Sequence, residues 1–305
     1  MNRRTFLLNT TAAGFALAAQ PLQAAAISPP ISTNTYPWGT FATRDGGAFA
    51  LHTDQALAAI AATGITGYEP IINTPEEFDG LGARLKNHGL EMPSLYVNSS
   101  QHEANAAAAS MAGVLAIARR AVALGTRFIV TNPSPIRWGG PENKSDAQLI
   151  TQAKALDQLG AELRKLEMTL AYHNHDAELR LGAREFHHML TATDPAHVKF
   201  CLDAHWIFRG CGDSQVALFD ALDQHGGRVV ELHLRQSRGG VWTEVFTADG
   251  DIDYARIGSW LKARGFKPQL TLEQAVETGS PKTLDAVAAH RESLANTRRL
   301  FDWLS

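Results

Sequence analysis

The feature that most restricts the fold is an alternation of short apolar runs with longer amphipathic stretches, repeated eight times after residue 26. The short runs have the length and residue types of β-strands, whereas the longer stretches carry apolar residues at helical spacing, as Leu149, Leu156 and Leu163 do. The predicted strands are 31–36, 65–71, 91–97, 127–132, 170–175, 198–205, 229–235 and 269–273. The predicted helices are 53–62, 74–88, 102–124, 145–166, 183–193, 214–224, 254–264 and 284–304.

Eight strand–helix units without a break in composition indicate one closed parallel sheet surrounded by helices. We therefore predict a single (β/α)8 TIM barrel domain over residues 27–305. A chain of 305 residues, 45% of them hydrophobic, is long enough to bury one large core. An open, doubly wound sheet is the competing architecture, but no predicted strand is followed by a glycine-rich phosphate-binding loop.

The first 26 residues have the pattern of an export signal that is separate from the fold. Arg3 and Arg4 precede an apolar run over 6–19, and small residues follow through 24–26. The arginine pair indicates the twin-arginine route and predicts a periplasmic protein without stable membrane insertion after processing. A membrane anchor is the alternative reading, although the apolar run is short for a span of about 20 residues.

Charge and cysteine content restrict the partners and the chemistry. The formal net charge of −3 and the lack of a Lys/Arg stripe argue against nucleic-acid binding. Of the two cysteines, Cys201 has the inward-facing parity of a strand residue, so we expect a core thiol there and no disulfide to Cys211. A homo-oligomer is compatible with the sequence, which gives no direct sign of one.

Polar side chains of one parity stand near the ends of four consecutive predicted strands, five to eight. With a side-chain period of two, the inward-facing residues at comparable heights are His173, Asp203, His233 and Glu273. In barrels of this kind the chemistry lies where strands end and β–α loops begin. Converging buried polar groups are costly unless something satisfies them. Two imidazoles and two carboxylates suit a divalent cation, whereas a hydrogen-bonded cluster without metal is the other possibility.

These residues carry a resemblance to a known family. The chain resembles the sugar phosphate isomerase/epimerase group of the xylose-isomerase-like barrels over nearly all of its length after the signal segment. The segments that carry the likeness are 172–175, 202–203, 232–234, 250–253 and Glu273. The resemblance implies one divalent metal ion, held by residues of strands five to eight, and a small carbohydrate substrate. Mn²⁺, Zn²⁺, Co²⁺ and Fe²⁺ all tolerate this ligand set.

Two positions depart from the family pattern. His173 stands where the family has an acidic ligand, and Trp206 stands where many relatives have a histidine, with His205 one place earlier. Family epimerases resemble two-base enzymes with two glutamates beside the substrate carbon. The replacement by His173 therefore puts symmetric proton exchange in doubt and favours one-base chemistry, such as isomerisation, dehydration or β-elimination.

All of these reactions remove a proton next to a carbonyl, which requires a base and a stabilised oxyanion. His175 is our preferred base; Glu69 and the ligand Glu273 are the alternatives. Arg235 is expected to bind an oxyanion or a substrate acid group, or else to form a structural ion pair. The residues expected to contact substrate in addition are Trp206, His205 and Trp38.

Export and the missing phosphate loop favour a non-phosphorylated sugar or cyclitol, in a keto form for a lyase or dehydratase reaction. Three alternatives remain: an epimerase or aldose–ketose isomerase for free sugars, a non-catalytic periplasmic sugar-binding barrel, and a nuclease of the same fold. The nuclease would need more metal ligands and a basic face, which this sequence lacks.

Overall fold

The computed structural model describes residues 30–304. The predicted signal segment, residues 1–26, lies outside this range, so its assignment stays a prediction. Within the described range, no helix is both long and apolar enough to cross a membrane.

Eight parallel strands form the predicted barrel. They are β1 (Ser32–Asn34), β2 (Gly67–Glu69), β3 (Ser94–Tyr96), β4 (Phe128–Thr131), β5 (Thr169–His173), β6 (Val198–Asp203), β7 (Val229–Leu234) and β8 (Gln269–Leu272). Each strand pairs with its neighbour in sequence except β2 with β3, and β1 pairs with β8. Parallel bridges from Gly67 to Glu91 and from Ile71 to Tyr96 close the remaining gap between β2 and β3. The fold is therefore a TIM barrel, as predicted.

The helices surround this sheet. They are α1 (Thr35–Arg44), α2 (Asp54–Ala61), α3 (Leu81–Asn87), α4 (Ala104–Val122), α5 (Asp146–Arg164), α6 (Arg180–Thr191), α7 (Ala204–Gly210), α8 (Gln215–His225), α9 (Tyr254–Arg264) and α10 (Ala286–Leu300). The main core lies between the helices and the outer face of the strands, where Leu170, Tyr172, Phe200 and Leu202 are fully buried. Burying apolar area of this kind is the main stabilising contribution to a barrel.

A smaller cluster fills the barrel interior. It consists of Tyr96, Val130, Ala171 and Cys201, which alternate along their strands with the outward-facing residues. The inward parity predicted for Cys201 is confirmed, and both cysteines are free thiols within residues 30–304. The inner face of the barrel thus changes from small apolar residues to polar residues along β5 and β6.

The structure corrects three element boundaries near the site. The first strand ends at Asn34, whose side chain accepts from Tyr36 N and caps α1, a helix that the sequence interpretation missed. The sixth strand ends at Asp203, and the next residues form α7. A short β-hairpin, Ser237–Arg238 with Val241–Trp242, occupies the polar segment after β7.

Candidate metal centre and active site

The four side chains predicted from strand parity converge at the mouth of the barrel. His173, Asp203, His233 and Glu273 each offer a nitrogen or oxygen atom, and these atoms all lie within 4.8 Å of one another. All four side chains are buried, Glu273 being 6% exposed and the others 0%. Register explains the convergence: Asp203 pairs with His233 across β6 and β7. Glu273 follows β8, and its backbone N–H donates to Leu234 O.

The two histidines have different environments. Within residues 30–304, neither ring nitrogen of His173 has a hydrogen-bond partner. Burial lowers the pKa of His173 well below its usual value, so the ring is neutral and a nitrogen lone pair is free. His233 lies between two carboxylates: Nδ1 is 3.3 Å from Glu273 Oε2, and Nε2 is 3.1 Å from Glu69 Oε1. The second contact has the distance of a hydrogen bond, although its angle falls short of one.

The two oxygens of Asp203 have different roles, one capping α7 and the other facing the candidate cation site. Its Oδ1 accepts from Trp206 N at 3.0 Å, which is an N-cap bond and explains why α7 begins here. Its Oδ2 is buried and has no hydrogen-bond partner in the described part of the chain. Burial raises the pKa of Asp203 to about 7. An orphaned carboxylate oxygen of this kind requires a proton or a cation next to it.

Arg235 supplies a fixed positive charge beside the four ligand candidates. Its Nη2 donates to Glu273 Oε2 at 2.6 Å and lies 3.9 Å from Asp203 Oδ2. Burial alone would raise the pKa of Glu273. The nearby Arg235 and His233 have the larger, opposite effect and hold this pKa well below its usual value. Within residues 30–304 no acceptor faces Arg235 Nε or Nη1, which leaves donors for a ligand.

Aromatic rings enclose the guanidinium of Arg235. Its central carbon lies 4.4 Å from the ring centre of Trp242, 5.0 Å from that of Trp206 and 5.5 Å from that of Tyr36. Cation–π contacts of this kind stabilise a desolvated cation and fix its orientation. The rings thus hold Arg235 at the side of the site.

A cavity of about 340 Å³ opens onto this arrangement, which is a size suited to a small ligand. Its polar wall includes Asn34, His175, Arg235 and Glu273, together with other residues of the strand ends. The remaining lining residues are Tyr36, Ile71, Tyr96, Asn98, Trp138, Asp176 and Trp206. Of the four candidate ligands, Glu273 lines this cavity, together with the predicted contacts Arg235 and Trp206. The other three ligand candidates lie within 4.8 Å of the Glu273 carboxylate.

His175 reaches the cavity from the loop after β5. Its ring makes edge contacts with His173 and with Trp138, with centres 4.7 and 5.1 Å apart. Burial lowers the pKa of His175 to about 3, which keeps the ring neutral. Its backbone N–H donates to Glu178 Oε2 at 2.6 Å, which fixes the turn that carries the ring.

A second polar layer lies deeper in the barrel. Glu231 Oε1 accepts from Ser94 at 2.9 Å and from Thr271 at 2.6 Å. Burial, reinforced by the charge of Glu69, raises the pKa of Glu231 well above its usual value. Donor oxygens of the two acids lie within 4.8 Å of each other, and Glu69 accepts from the Asn34 amide. Glu69 is fully buried and does not line the cavity, so its predicted role as a base is not supported by this position.

Two predicted substrate contacts lie elsewhere. Trp38 is on α1, where its ring stacks on His290 at 4.3 Å and its Nε1 donates to Thr33, so it is a packing residue outside the cavity. His205 is on α7, not at a strand end, because Asp203 starts the helix. It is fully buried against Trp206 and Trp242 and does not line the cavity.

Tyr36 is a cavity residue that the sequence analysis missed. It lies in the first turn of α1, two residues after the cap Asn34, is 41% exposed and faces Arg235. Its position directly after a buried strand was the available signal, but the helix start there was not recognised. Trp138, from the Pro/Gly-rich loop after β4, is 54% exposed at the same mouth.

The donor set fits a divalent cation. The set consists of two imidazoles and two carboxylates, which are the ligand types and the number found in catalytic cation sites. His173 and Asp203 each have a buried polar atom without a hydrogen-bond partner within residues 30–304. Fold and site together define a parallel barrel with a candidate cation-binding centre at the carboxyl ends of its strands.

The sequence matches the family described as "Xylose isomerase-like TIM barrel" over residues 57–300. The chain belongs to this family. The match covers the strands that carry the four ligand candidates, and it confirms the resemblance inferred from their motifs. No curated protein sequence matches the chain.

Solved structures with the same fold include three informative ones. A sugar phosphate isomerase/epimerase from Parabacteroides distasonis has a TM-score of 0.69 at 16% identity, covering 94% of this chain and 99% of its own. The 3-keto-D-glucoside 4-epimerase of E. coli has a TM-score of 0.64 at 14% identity, with coverages of 90% and 98%. A xylose isomerase-like barrel protein from Mycobacterium smegmatis, in complex with magnesium, has a TM-score of 0.66 at 13% identity, with coverages of 91% and 98%.

Proposed function

We propose that the protein is a divalent-metal-dependent enzyme that removes a proton next to the carbonyl group of a non-phosphorylated sugar or cyclitol. The convergence of His173, Asp203, His233 and Glu273, the last of which lines the cavity, carries this proposal. The names of the similar structures, two of them sugar isomerases or epimerases and one a magnesium complex, support the same chemistry.

Positive charge at the cavity favours an enolisation. Arg235 carries one positive charge and a bound divalent cation two, beside the carboxylates of Asp203 and Glu273 and above that of Glu69. An enediolate carries one negative charge, which the cation and Arg235 would stabilise as it forms. When bound, the cation polarises the substrate carbonyl and stabilises the developing oxyanion.

The residues of the cavity have separate tasks in this proposal. His175 is neutral, faces the cavity and takes the proton. The free donors of Arg235 bind the substrate oxygen or acid group on which charge develops. Trp206 offers a ring face for C–H groups of the sugar.

The replacement of a family acidic residue by His173 favours one-base chemistry: isomerisation, or dehydration or β-elimination from a keto sugar. The cavity offers one neutral imidazole, His175, that is not in the ligand set. A two-base epimerase would need a second base on the opposite side of the substrate carbon. Glu273 is the other candidate base that lines the cavity, and its carboxylate already forms an ion pair with Arg235.

The test is a substrate panel with metal-loaded protein in D₂O, including free ketoses and 3-keto-glycosides. Deuterium incorporation at one carbon without bond cleavage selects the isomerase or epimerase, and an enone or a released aglycone selects the lyase. Sugar binding without incorporation or cleavage, unchanged in Glu273→Gln, would overturn the enzymatic proposal.

A non-catalytic sugar-binding barrel is the second candidate. The observation that favours it is the buried ion pair of Arg235 with Glu273, which supplies a positive charge to the site without any metal. Both candidates retain the proposal of an exported, periplasmic protein, for which fractionation of cells that express the full chain is the test.

A further inference from the structure

Glu69 and Glu231 form a buried acidic layer to which the proposed reaction assigns no task. Glu231 points into the barrel two residues before His233 on the same strand. Ser94 and Thr271 donate to Glu231 Oε1, and Asn34 donates to Glu69 Oε1. Both acids are 0% exposed. Because burying two carboxyl groups is costly, their placement next to a candidate metal ligand requires an explanation.

His233 is the group that connects this layer to the cavity. In the structure Nδ1 forms a hydrogen bond with Glu273 Oε2 at 3.3 Å, whereas Glu69 Oε1 lies 3.1 Å from Nε2 without meeting the angle of a hydrogen bond. A cation that binds Nδ1 and Glu273 would replace the first bond and require the hydrogen to be on Nε2. A neutral imidazole carries one hydrogen and offers one lone pair, so only one nitrogen can bind a cation. Glu273 lines the cavity and belongs to the four-residue set, whereas Glu69 does neither.

We propose that Glu69 is a positioning residue that holds the hydrogen of His233 on Nε2, which leaves Nδ1 as the cation ligand. The Asn34 amide donates to Glu69 Oε1 and holds the carboxylate in this position. This inference rests on the proposed function in one respect, that a cation binds at the four-residue set. Carboxylates commonly orient metal-binding imidazoles by accepting from the nitrogen that does not bind the metal.

A second cation between Glu69, Glu231 and His233 is the rival explanation, because their donor atoms also lie within 4.8 Å of one another. Hydrogen-bond donors occupy one oxygen of each acid: two hydroxyls reach Glu231 Oε1 and an amide reaches Glu69 Oε1. The other oxygens, Glu69 Oε2 and Glu231 Oε2, have no partner within residues 30–304. Metal stoichiometry distinguishes the two explanations, since the proposal requires one cation per chain and the rival requires two.

The first test measures zinc affinity and stoichiometry by calorimetry on Glu69→Gln, with Glu178→Gln as the matched control. Glu178 is an equally buried glutamate next to the site that does not contact His233. The expected result is one zinc per chain in every variant, with an affinity about 10- to 100-fold lower in Glu69→Gln and unchanged in the control. Equal affinity in Glu69→Gln, or two zinc ions per wild-type chain with one lost in the variant, would overturn the proposal.

The second test needs no variant. Long-range ¹H–¹⁵N spectra of zinc-loaded wild-type protein, labelled at histidine, report which nitrogen of each ring carries the hydrogen. We expect the His233 signals to show hydrogen on Nε2 and a metal-bound Nδ1; the reverse pattern contradicts the proposal even if Glu69→Gln does not fold. Failure of the wild-type chain to bind zinc, manganese, cobalt or iron(II) would overturn the proposed function and this inference together. Normal binding with the reverse tautomer would overturn this inference alone.

Discussion

Arg235 Nη2 lies 2.6 Å from Glu273 Oε2, and both side chains are buried at the floor of the cavity. The guanidinium therefore shares the Glu273 carboxylate with the candidate cation site. Because a bound cation would draw charge from the same carboxylate, Arg235 and the metal ion compete for Glu273. The enclosing rings of Trp206 and Trp242 limit how far the guanidinium can move.

This competition predicts the behaviour of Arg235→Met. Removing one partner of a buried ion pair leaves the other charge uncompensated, so the metal-free variant should lose about 3 kcal/mol of unfolding free energy. Added Mn²⁺ or Zn²⁺ should restore more stability than it adds to the wild type, because Glu273 then has the cation alone. Thermal unfolding with and without metal measures both effects, and an equal metal-induced shift in the two proteins would contradict the competition.

Asp203 should have separable structural and metal-binding roles. Asp203→Asn keeps a side-chain oxygen that can accept from Trp206 N but removes the charge that faces the site. We expect metal affinity to fall at least about 100-fold, with helix content unchanged by circular dichroism. Asp253→Asn, which changes the equivalent cap of α9 at Arg256 N, is the control and should bind metal normally.

His175→Asn should lower turnover by about 10²- to 10⁴-fold, the range for loss of a general base, with metal stoichiometry unchanged. The assay is deuterium incorporation into whichever sugar the substrate panel identifies. His197→Asn, which removes a partly exposed histidine paired with Asp157, should have no effect. Retention of the full exchange rate in His175→Asn would assign the base to another residue.

The stability of the protein should depend on Glu178 between about pH 4.5 and 7. Burial, reinforced by the charge of Glu185, raises the pKa of Glu178 to about 7, and Lys144 partly opposes this shift. Since the folded chain keeps the proton after the unfolded chain has released it, this group's contribution to stability is full below pH 4.5 and declines as the pH rises to 7. The decline is about 3 kcal/mol by linkage.

Glu178→Gln has no such titration, so its unfolding free energy should fall less than that of the wild type between pH 5 and 8. Gln retains an acceptor for the backbone N–H of His175. Urea unfolding at the two pH values measures the difference. Parallel changes in both proteins would show that Glu178 ionises normally in the folded chain.

Much of the site was predictable because strand parity is a local property. The period of two placed His173, Asp203 and His233 on the inner face, and barrel closure brings their strands together. The parity rule placed His205 wrongly, because the rule assumes that the strand continues to that residue. The capping bond from Asp203 to Trp206 N ends the strand and turns the next residues onto a helix.

Contacts between distant elements could not be predicted in this way. The position of Glu69 against His233 depends on how β2 faces β7 across the closed barrel. The choice of Glu273 over Asp203 as the close partner of Arg235 depends on side-chain rotamers within the cavity. Trp38 was misjudged because α1, which turns its ring onto His290, was not recognised.

The proposed function requires one divalent cation between His173, Asp203, His233 and Glu273. Anomalous scattering from crystals of manganese- or zinc-loaded protein locates such a cation. We expect one peak at about 2.0–2.3 Å from a nitrogen or oxygen of each of the four side chains. Absence of a peak at this position, or a single peak between Glu69 and Glu231 instead, would rule out this site.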